Sequence, residues 1–550
     1  MNIFQMPLPR PVTKKLLNSK VLFYCGKQNL KMTKSCTAEV KSKIDSPGDV
    51  SLDTALTLIG YGKFHYKIMI SCAFCFISSG VQYGLTAYAM PAAHCELDLS
   101  STQIGFVNSS FLIGAMCSSF LWGVTADLTG RKKILTITLL SNAVVTIFCA
   151  FVQNLIGLIA CRFINGFLIG APGSVAFTYM AEFHAPTHRT KAIYYAGIFF
   201  TVPWLLLPAL AWVILPLQVN LAFADFTLLS SWRLFLIILS LPEIIGGLWL
   251  WHLPETPKFL AVARPEKALS VLREMYKVNK NVSEAEFPIK TLNEVQINLN
   301  TNANENKVNS TCKIAKLAEE IFCQIYDLFK TPLLSSTFLV TLLMFTNMFG
   351  YYGLGLWLPE VLNRKKEGFS NITNSSNKFN DTCTFQFDRN LYQSTVIIGV
   401  SALCANLFAG WLSGKFQPKT IPIATSVLSA TCAGWMFWAS NPLQYLIASC
   451  IFQSAMSVAN ISFGTVAVEL FPTNVNAIAV CTVMLAGRLG AIFSNIIFGF
   501  LIDANPTIAI SLVIGVLVIC TFACFFIPNK KEKKSAENKP NVVFSISTTW

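Results

Sequence analysis

Three ionisable side chains lie inside stretches that carry almost no other charge: Arg162 in CRFING, Glu243 in SLPEIIGG and Arg488 in LAGRLG. A charge facing hydrocarbon costs on the order of 2.5–3.5 kcal/mol by insertion scales, so each of the three must meet a protein partner or a water-filled space. The chemistry open to two guanidinium groups and one carboxylate in such a setting is recognition of a solute, or neutralisation of one another, and not bond making. Glu243 and Arg488 can form a buried pair between two halves of the molecule, or both can face a cavity; Arg162 can serve structure and gating, or touch the solute. The five histidines, His65, His94, His184, His188 and His252, have no metal-ligand spacing, and no Ser-His-Asp set or phosphate-binding glycine loop stands out. The 17 cysteines fall mainly in apolar stretches and form no CxxC pair. We therefore expect no catalytic residue, no metal and no cofactor.

These groups need a membrane-embedded frame to position them. The chain of 550 residues is 53% hydrophobic, has a mean hydropathy of +0.53 and carries only 13% charged residues. Soluble domains carry about 25%. Charge-free intervals fall at about 68–90, 103–126, 134–152, 155–180, 192–216, 233–251, 334–358, 391–413, 421–440, 443–468, 477–502 and 507–527. Each is near the ~20 residues that cross a bilayer as a helix, and the turn Ala439-Ser440-Asn441-Pro442 divides the one interval too long for a single crossing. The expectation is an all-α membrane protein of twelve spans. Lys and Arg gather in the N-terminal tail, the 4–5 and 8–9 connections and the C-terminal tail, and are absent from the 1–2, 3–4, 9–10 and 11–12 connections, which places both termini in the cytosol. The net charge of +14 then reflects orientation and weak attraction to anionic lipid, with no nucleic-acid binding implied.

The turn between spans 2 and 3 reads GVTADLTGRKK, Gly123 to Lys133. Gly130 allows a tight bend at the helix end, Asp127 accepts hydrogen bonds, and Arg131 and Lys132 supply fixed positive charge. The turn returns 287 residues later as GWLSGKFQPK, without its aspartate and arginine, and Glu182 and Glu469 share the same offset. Two halves on one plan mark a duplicated transporter.

The pattern Gly123-x-x-x-Asp127-x-x-Gly130-Arg131-Lys132 resembles the loop signature of the major facilitator superfamily, which there joins helices 2 and 3. Arg162 with Gly166 and Gly170 resembles that superfamily's helix-4 motif, whose glycines let helices approach closely. GYYGLGLWLPEVL at Gly350 to Leu362, and CRFINGFLIGAPGSVAFTYMAEF at Cys161 to Phe183, look like the synaptic vesicle glycoprotein 2 family. The resemblance implies two pseudo-symmetric six-helix bundles around a cavity lined by spans 1, 4, 7 and 10. It also shows a departure: where members carry carboxylates in span 1 and an acidic residue with an aromatic in span 10, this chain has Ser79 and Gln82, and Asn460 and Gly464.

The domain reading follows. Residues 1–65 form a mostly disordered cytosolic tail, 66–252 the first bundle, 253–333 a cytosolic central loop with a helix at 265–277 and a surface helix leading into span 7, 334–527 the second bundle with an outer loop at 360–390, and 528–550 a basic tail. Acceptor triplets for N-glycosylation stand at Asn371, Asn374 and Asn380. Cys95 and Cys383 are the two cysteines placed outside, as a disulfide or as free thiols. The cavity candidates are Gln82, Tyr83, Arg162, Glu243, Tyr351, Tyr352, Asn460 and Arg488. With two cations against one anion, the cavity leans towards a neutral or anionic small organic solute. The expected function is secondary transport by alternating access; the alternative is a vesicle or cell-surface glycoprotein of transporter fold that acts in trafficking or binding without transport.

Overall fold

The computed structural model describes residues 51–217, 220–223, 226–289, 291–292, 326, 328–331, 333–371, 388–412, 419–439, 441–471 and 475–528. The first half consists of α1 (Leu52–Ile59), α2 (Lys63–Leu97), α3 (Ser101–Thr129), α4 (Arg131–Cys149), α5 (Leu155–Phe183), α6 (Pro186–Phe199), α7 (Pro203–Ile214), α8 (Ser231–Leu239) and α9 (Leu241–His252). After α10 (Pro257–Ala263) and α11 (Pro265–Lys280) come α12 (Leu333–Asn371), α13 (Arg389–Leu412), α14 (Thr420–Trp438), α15 (Pro442–Leu470), α16 (Asn476–Ala504) and α17 (Pro506–Cys524). Strands β1 (Asn220–Phe223) and β2 (Phe226–Ser230) pair antiparallel between α7 and α8, a short exception to an otherwise helical chain.

Among the described residues eleven continuous segments are long and apolar enough to cross a bilayer. The twelfth is α3, bent by 45° between Ser101–Ser119 and Leu121–Thr129. The twelve charge-free intervals each fall on one of these spans. A helix satisfies its backbone within itself, the condition for crossing hydrocarbon. Span boundaries follow local chemistry. Ser100 and Gln103 close a reciprocal capping box at the start of α3, Pro203, Pro442 and Pro506 open helices, and Gly130, at φ +105°, makes the break between α3 and α4 that a side chain would strain.

The chain divides into two compact units. The smaller contains the described residues up to His65, Glu182–Arg189 and the segment from Pro257. In it, α1 buries Ala55, Leu56 and Ile59, and α11 buries Ala268, Leu272 and Met275. The Asn279 side chain accepts from the Phe64 N–H at 2.9 Å and donates to the Gly60 carbonyl at 3.2 Å. The last residues of the tail expected to be disordered are thus ordered, because α1 presents an apolar stripe that α11 covers. Residues 1–50 and the expected surface helix before span 7 lie outside the described residues.

The larger unit holds the two pseudo-symmetric six-helix halves. Within the halves α4 packs on α9, α12 on α16 and α17, and α15 on α13 and α14. Among the described residues α3 packs on α16 and α7 on α13 across the halves. Where they cross, small residues allow the approach: a Cβ on Gly105 would stand 2.8 Å from the Asn495 carbonyl, and one on Gly399 would strike the Trp204 carbonyl. The 1–2, 7–8 and 11–12 connections share one end of the bundles, the outer end by the cation distribution of the sequence. Here α12 departs from expectation by running on as a helix to Asn371, so the first part of the segment read as an outer loop is helical. Glu360 and Arg364, one turn apart and paired at 2.7 Å, support that extension.

Candidate functional site

The first half is built around a polar network with no access to solvent. Gln82 (0% exposed), Arg162 (1%) and Glu243 (0%) come from α2, α5 and α9, and Asn142 and Thr146 join them from α4. Glu243 Oε1 accepts from Gln82 Nε2 and from Asn142 Nδ2, both at 2.7 Å, while Gln82 Nε2 also donates to Thr146 Oγ1 at 2.8 Å. On the other side Arg162 donates to Gln82 Oε1 at 2.7 Å and to the Gln82 main-chain carbonyl at 2.8 Å, with its guanidinium 4.4 Å from the centre of the Phe111 ring. Carboxylate and guanidinium therefore meet through one amide. Gln82, which stands where a carboxylate was expected from the resemblance, is suited to this because an amide can donate to the anion and accept from the cation at once.

Arg162 can take this place because α5 lies unusually close to α3. A Cβ on Gly166 would strike the Phe111 carbonyl, and one on Gly170 the Ser118 hydroxyl. Neither position has room for a side chain between the two helices.

The pairing of Glu243 with Arg488 across the halves is not formed. Arg488 donates to the Ala115 carbonyl and to the Ser119 hydroxyl of α3. It enters at the 45° bend, where Ser119 Oγ also turns back to the Ala115 carbonyl at 2.8 Å. A side chain inserted into the i→i−4 ladder is a sufficient cause of a bend. No acidic partner was needed, and so none could be read from the sequence.

The tyrosines add an aromatic contact between the halves. Tyr83 of α2 lies 5.9 Å from Tyr352 of α12, ring centre to ring centre, and 5.0 Å edge-on from Phe111. Tyr351 packs on Trp204 of α7 at 5.5 Å and on Tyr352 at 5.1 Å. Both α12 tyrosines are buried, so interface anchoring does not account for them. Trp204 was missed by the sequence reading; its neighbour Pro203, packed against Gly80, was the available signal. Asn460 is half-buried on α15.

At the opposite end the turn after α3 is tied down twice. Arg131 pairs with Asp127 at 2.6 Å, and the Glu255 carboxylate accepts from the Arg131 and Lys132 backbone N–H groups at 3.1 Å. Glu255 thus caps the first turn of α4, where orphan N–H groups and the helix dipole favour an anion. Gly123 has open space around it. Because Asp127 is 68% exposed, its pair contributes about 0–1 kcal/mol, whereas loss of a capping side chain costs about 0.5–2 kcal/mol. Glu255→Ala is accordingly expected to lower the thermal midpoint of the purified protein more than Asp127→Asn, as a melting series on both variants will show. The corresponding second-half turn, residues 413–418, lies outside the described residues, as do Asn374, Asn380 and Cys383; Asn371 closes α12.

A further cluster escaped the sequence reading altogether. Arg233 of α8, fully buried, binds Glu96 of α2 at 2.7 Å, the Ala150 carbonyl at 2.5 Å and Gln153 Oε1 at 3.0 Å, while Trp232 Nε1 donates to the other Glu96 oxygen at 2.6 Å. It closes the outer end of the first half. Glu96, in the 1–2 connection, looked like an ordinary loop residue.

Two six-helix halves, packed on each other through α3 with α16 and α7 with α13 and holding Arg162, Glu243 and Arg488 in hydrogen bonds within the spans, define a transporter-type integral membrane protein. The chain belongs to the Major Facilitator Superfamily, whose model matches residues 72–494 and 385–550. It is similar to synaptic vesicle glycoprotein 2C of Mus musculus, 26% identical over 313 residues, which are 55% of this chain and 43% of that protein. Synaptic vesicle glycoprotein 2B of Rattus norvegicus is 26% identical over 328 residues, 56% of this chain and 47% of that protein. The match thus spans less than half the length of these relatives. Among solved structures, the inward open conformation of the xylose transporter XylE from E. coli superposes with a TM-score of 0.62 at 17% identity, covering 85% of this chain and 98% of that one. The nucleoside transporter NupG gives 0.55 at 15%, covering 87% and 100%. The family is one of transporters and not of enzymes.

Proposed function

We propose that the protein is a secondary transporter carrying a small, uncharged organic solute by alternating access, with the tyrosine layer as its recognition surface. The observation that carries this reading is the meeting of Tyr83 with Tyr352 from opposite halves, flanked by Trp204. Aromatic faces 5–6 Å apart accept a ring-bearing group by stacking when they part, and a solute held between the halves is touched by both as they rock. The buried charges nearby are already engaged: Arg162 and Glu243 meet through Gln82, and Arg488 donates to α3. This argues for a neutral solute ahead of an anionic one. A thermal-shift screen of the full-length protein against uncharged ring compounds, organic anions and organic cations tests the class. Stabilisation by the first set, lost in Tyr352→Ala, supports the proposal; stabilisation by cations alone overturns it.

A second reading, binding or trafficking without transport, is favoured by the likeness to synaptic vesicle glycoproteins and by the second-half turn, which lacks the aspartate and arginine of the first. The resident membrane is the plasma membrane or a vesicle membrane, with both termini in the cytosol. Glycosidase treatment is expected to shift the mobility of the protein, and the triple change of Asn371, Asn374 and Asn380 to Gln to abolish that shift. The central loop carries two further acceptor triplets, at Asn281 (NVS) and Asn309 (NST), and glycan on either of these instead would reverse the orientation.

A further inference from the structure

At the outer end, α3 and α16 cross so closely that a Cβ on Gly499 would stand 3.0 Å from the Ser101 carbonyl. Just above the crossing, one guanidinium collects four acceptors. Arg364 Nε donates to Glu360 at 2.7 Å, NH1 to the Ile502 carbonyl at 2.8 Å, and NH2 to Asp503 at 2.8 Å and to the Ser101 hydroxyl at 3.1 Å. Ser101 Oγ in turn donates to Asp503 Oδ1 at 2.7 Å, and Thr102 Oγ1 to the Gly499 carbonyl at 3.2 Å. Three of the Arg364 acceptors belong to the second half. Only Ser101, the first residue of α3, belongs to the other.

We infer that Ser101, Arg364 and Asp503 form the outer latch of this protein: a charge cluster kept whole within the second half that fastens the first half through one neutral hydroxyl. The chemistry of the division matters. Separating an ion pair between the halves on each cycle would expose two charges that had been paired, whereas here Arg364 keeps Glu360 and Asp503 in either state and the bonds made and broken are those of the Ser101 and Thr102 hydroxyls. Asp503 holds Ser101, and Arg364 holds Asp503 in place. Among the described residues Arg364 is the one polar partner of Glu360, and no bond from Glu360 to α3 is formed there, so it serves as an internal control. Thr395 of α13 is buried at 4% exposure and lines a cavity with Tyr88, Gly399 and Pro359, the residue before Glu360. Parting of the outer ends exposes it.

This inference rests on the alternating-access reading, but its test does not require a transported solute. Thr395→Cys is introduced into the full-length protein, and its alkylation by a maleimide is followed in detergent by mass spectrometry of the peptide carrying it. Ser101→Ala and Asp503→Asn are expected to raise the alkylation rate at least fivefold, and Glu360→Gln less than twofold. Arg364→Gln, which removes all four bonds, raises it as far as Asp503→Asn or further. Unchanged rates in Ser101→Ala and Asp503→Asn, or an equal rise in Glu360→Gln, overturn the latch. A thermal midpoint within a few degrees of the parent protein is required of each variant counted, and Ser101→Ala, the loss of one exchangeable hydroxyl, meets it most readily. Uptake measured in parallel separates the two claims: latch-dependent alkylation without uptake leaves the latch standing and removes transport, and uptake with latch-independent alkylation does the reverse.

Discussion

Arg162→Ala is expected to leave a protein that is made in low yield, melts several degrees below the parent and binds no solute. The guanidinium is buried and gives two hydrogen bonds to Gln82. Without it the Gln82 side-chain and main-chain oxygens lose their donors, and Glu243 loses the cation that balances it through the amide. Breaking a buried charge network from one side costs on the order of 3–5 kcal/mol, a large share of a typical folding free energy. Lysine does not substitute, because one ammonium cannot reach both Gln82 oxygens with the fixed fork of a guanidinium. Glu243→Gln is the informative contrast. Its Oε1 still accepts from Gln82 and Asn142, so although the network acquires an uncompensated positive charge the fall in melting temperature is smaller than in Arg162→Ala. Equal melting of Arg162→Ala and the parent protein would show that the network bears no structural load.

The second large effect is expected at Glu96→Ala. Arg233 is fully buried, and among the described residues Glu96 is the one anion bound to it, through Nε at 2.9 Å and NH2 at 2.7 Å. The loss also strips Trp232 Nε1 of its acceptor. Since the Glu96 side chain is 22% exposed and water can enter in its place, the cost sits at the lower end for a broken buried pair, roughly 3 kcal/mol. Glu96→Gln, which keeps an acceptor for the guanidinium, is expected to recover at least half of the lost melting temperature. Melting curves of Glu96→Ala, Glu96→Gln and the parent decide the point, and an Ala variant as stable as the Gln variant contradicts it.

These two sites show where sequence reading succeeds and where it stops. Hydrocarbon thickness imposes a length on every span and excludes charge from it, so the twelve crossings, the turn at Gly130 and the anomaly of Arg162, Glu243 and Arg488 are all visible in one dimension. Partnership is not. Arg162 lies 80 residues from Gln82 and Glu243 lies 161, and nothing in the spacing says that an amide rather than a carboxylate joins them. Arg488 answers to a backbone carbonyl and a serine hydroxyl at a helix bend, which no residue type advertises. Glu96 and Arg233 were passed over for the opposite reason: both sit at span ends, where charge is ordinary. The extension of α12 past Pro359 was hidden because a run of Asn, Lys and Glu reads as loop unless the Arg364 contacts to Asp503 and Ser101 are known.

The claim that the tyrosine layer recognises a neutral solute in transit is tested most directly by uptake. The full-length protein is reconstituted into proteoliposomes, and accumulation of a panel of uncharged ring compounds, organic anions and organic cations is compared with that in empty lipid and with Tyr352→Ala. The prediction is saturable accumulation of at least one uncharged compound, reduced tenfold or more by Tyr352→Ala, whose melting temperature stays within a few degrees of the parent. Saturable uptake of an organic cation that Tyr352→Ala leaves intact, or tight binding of an uncharged compound with no accumulation above empty lipid, contradicts it.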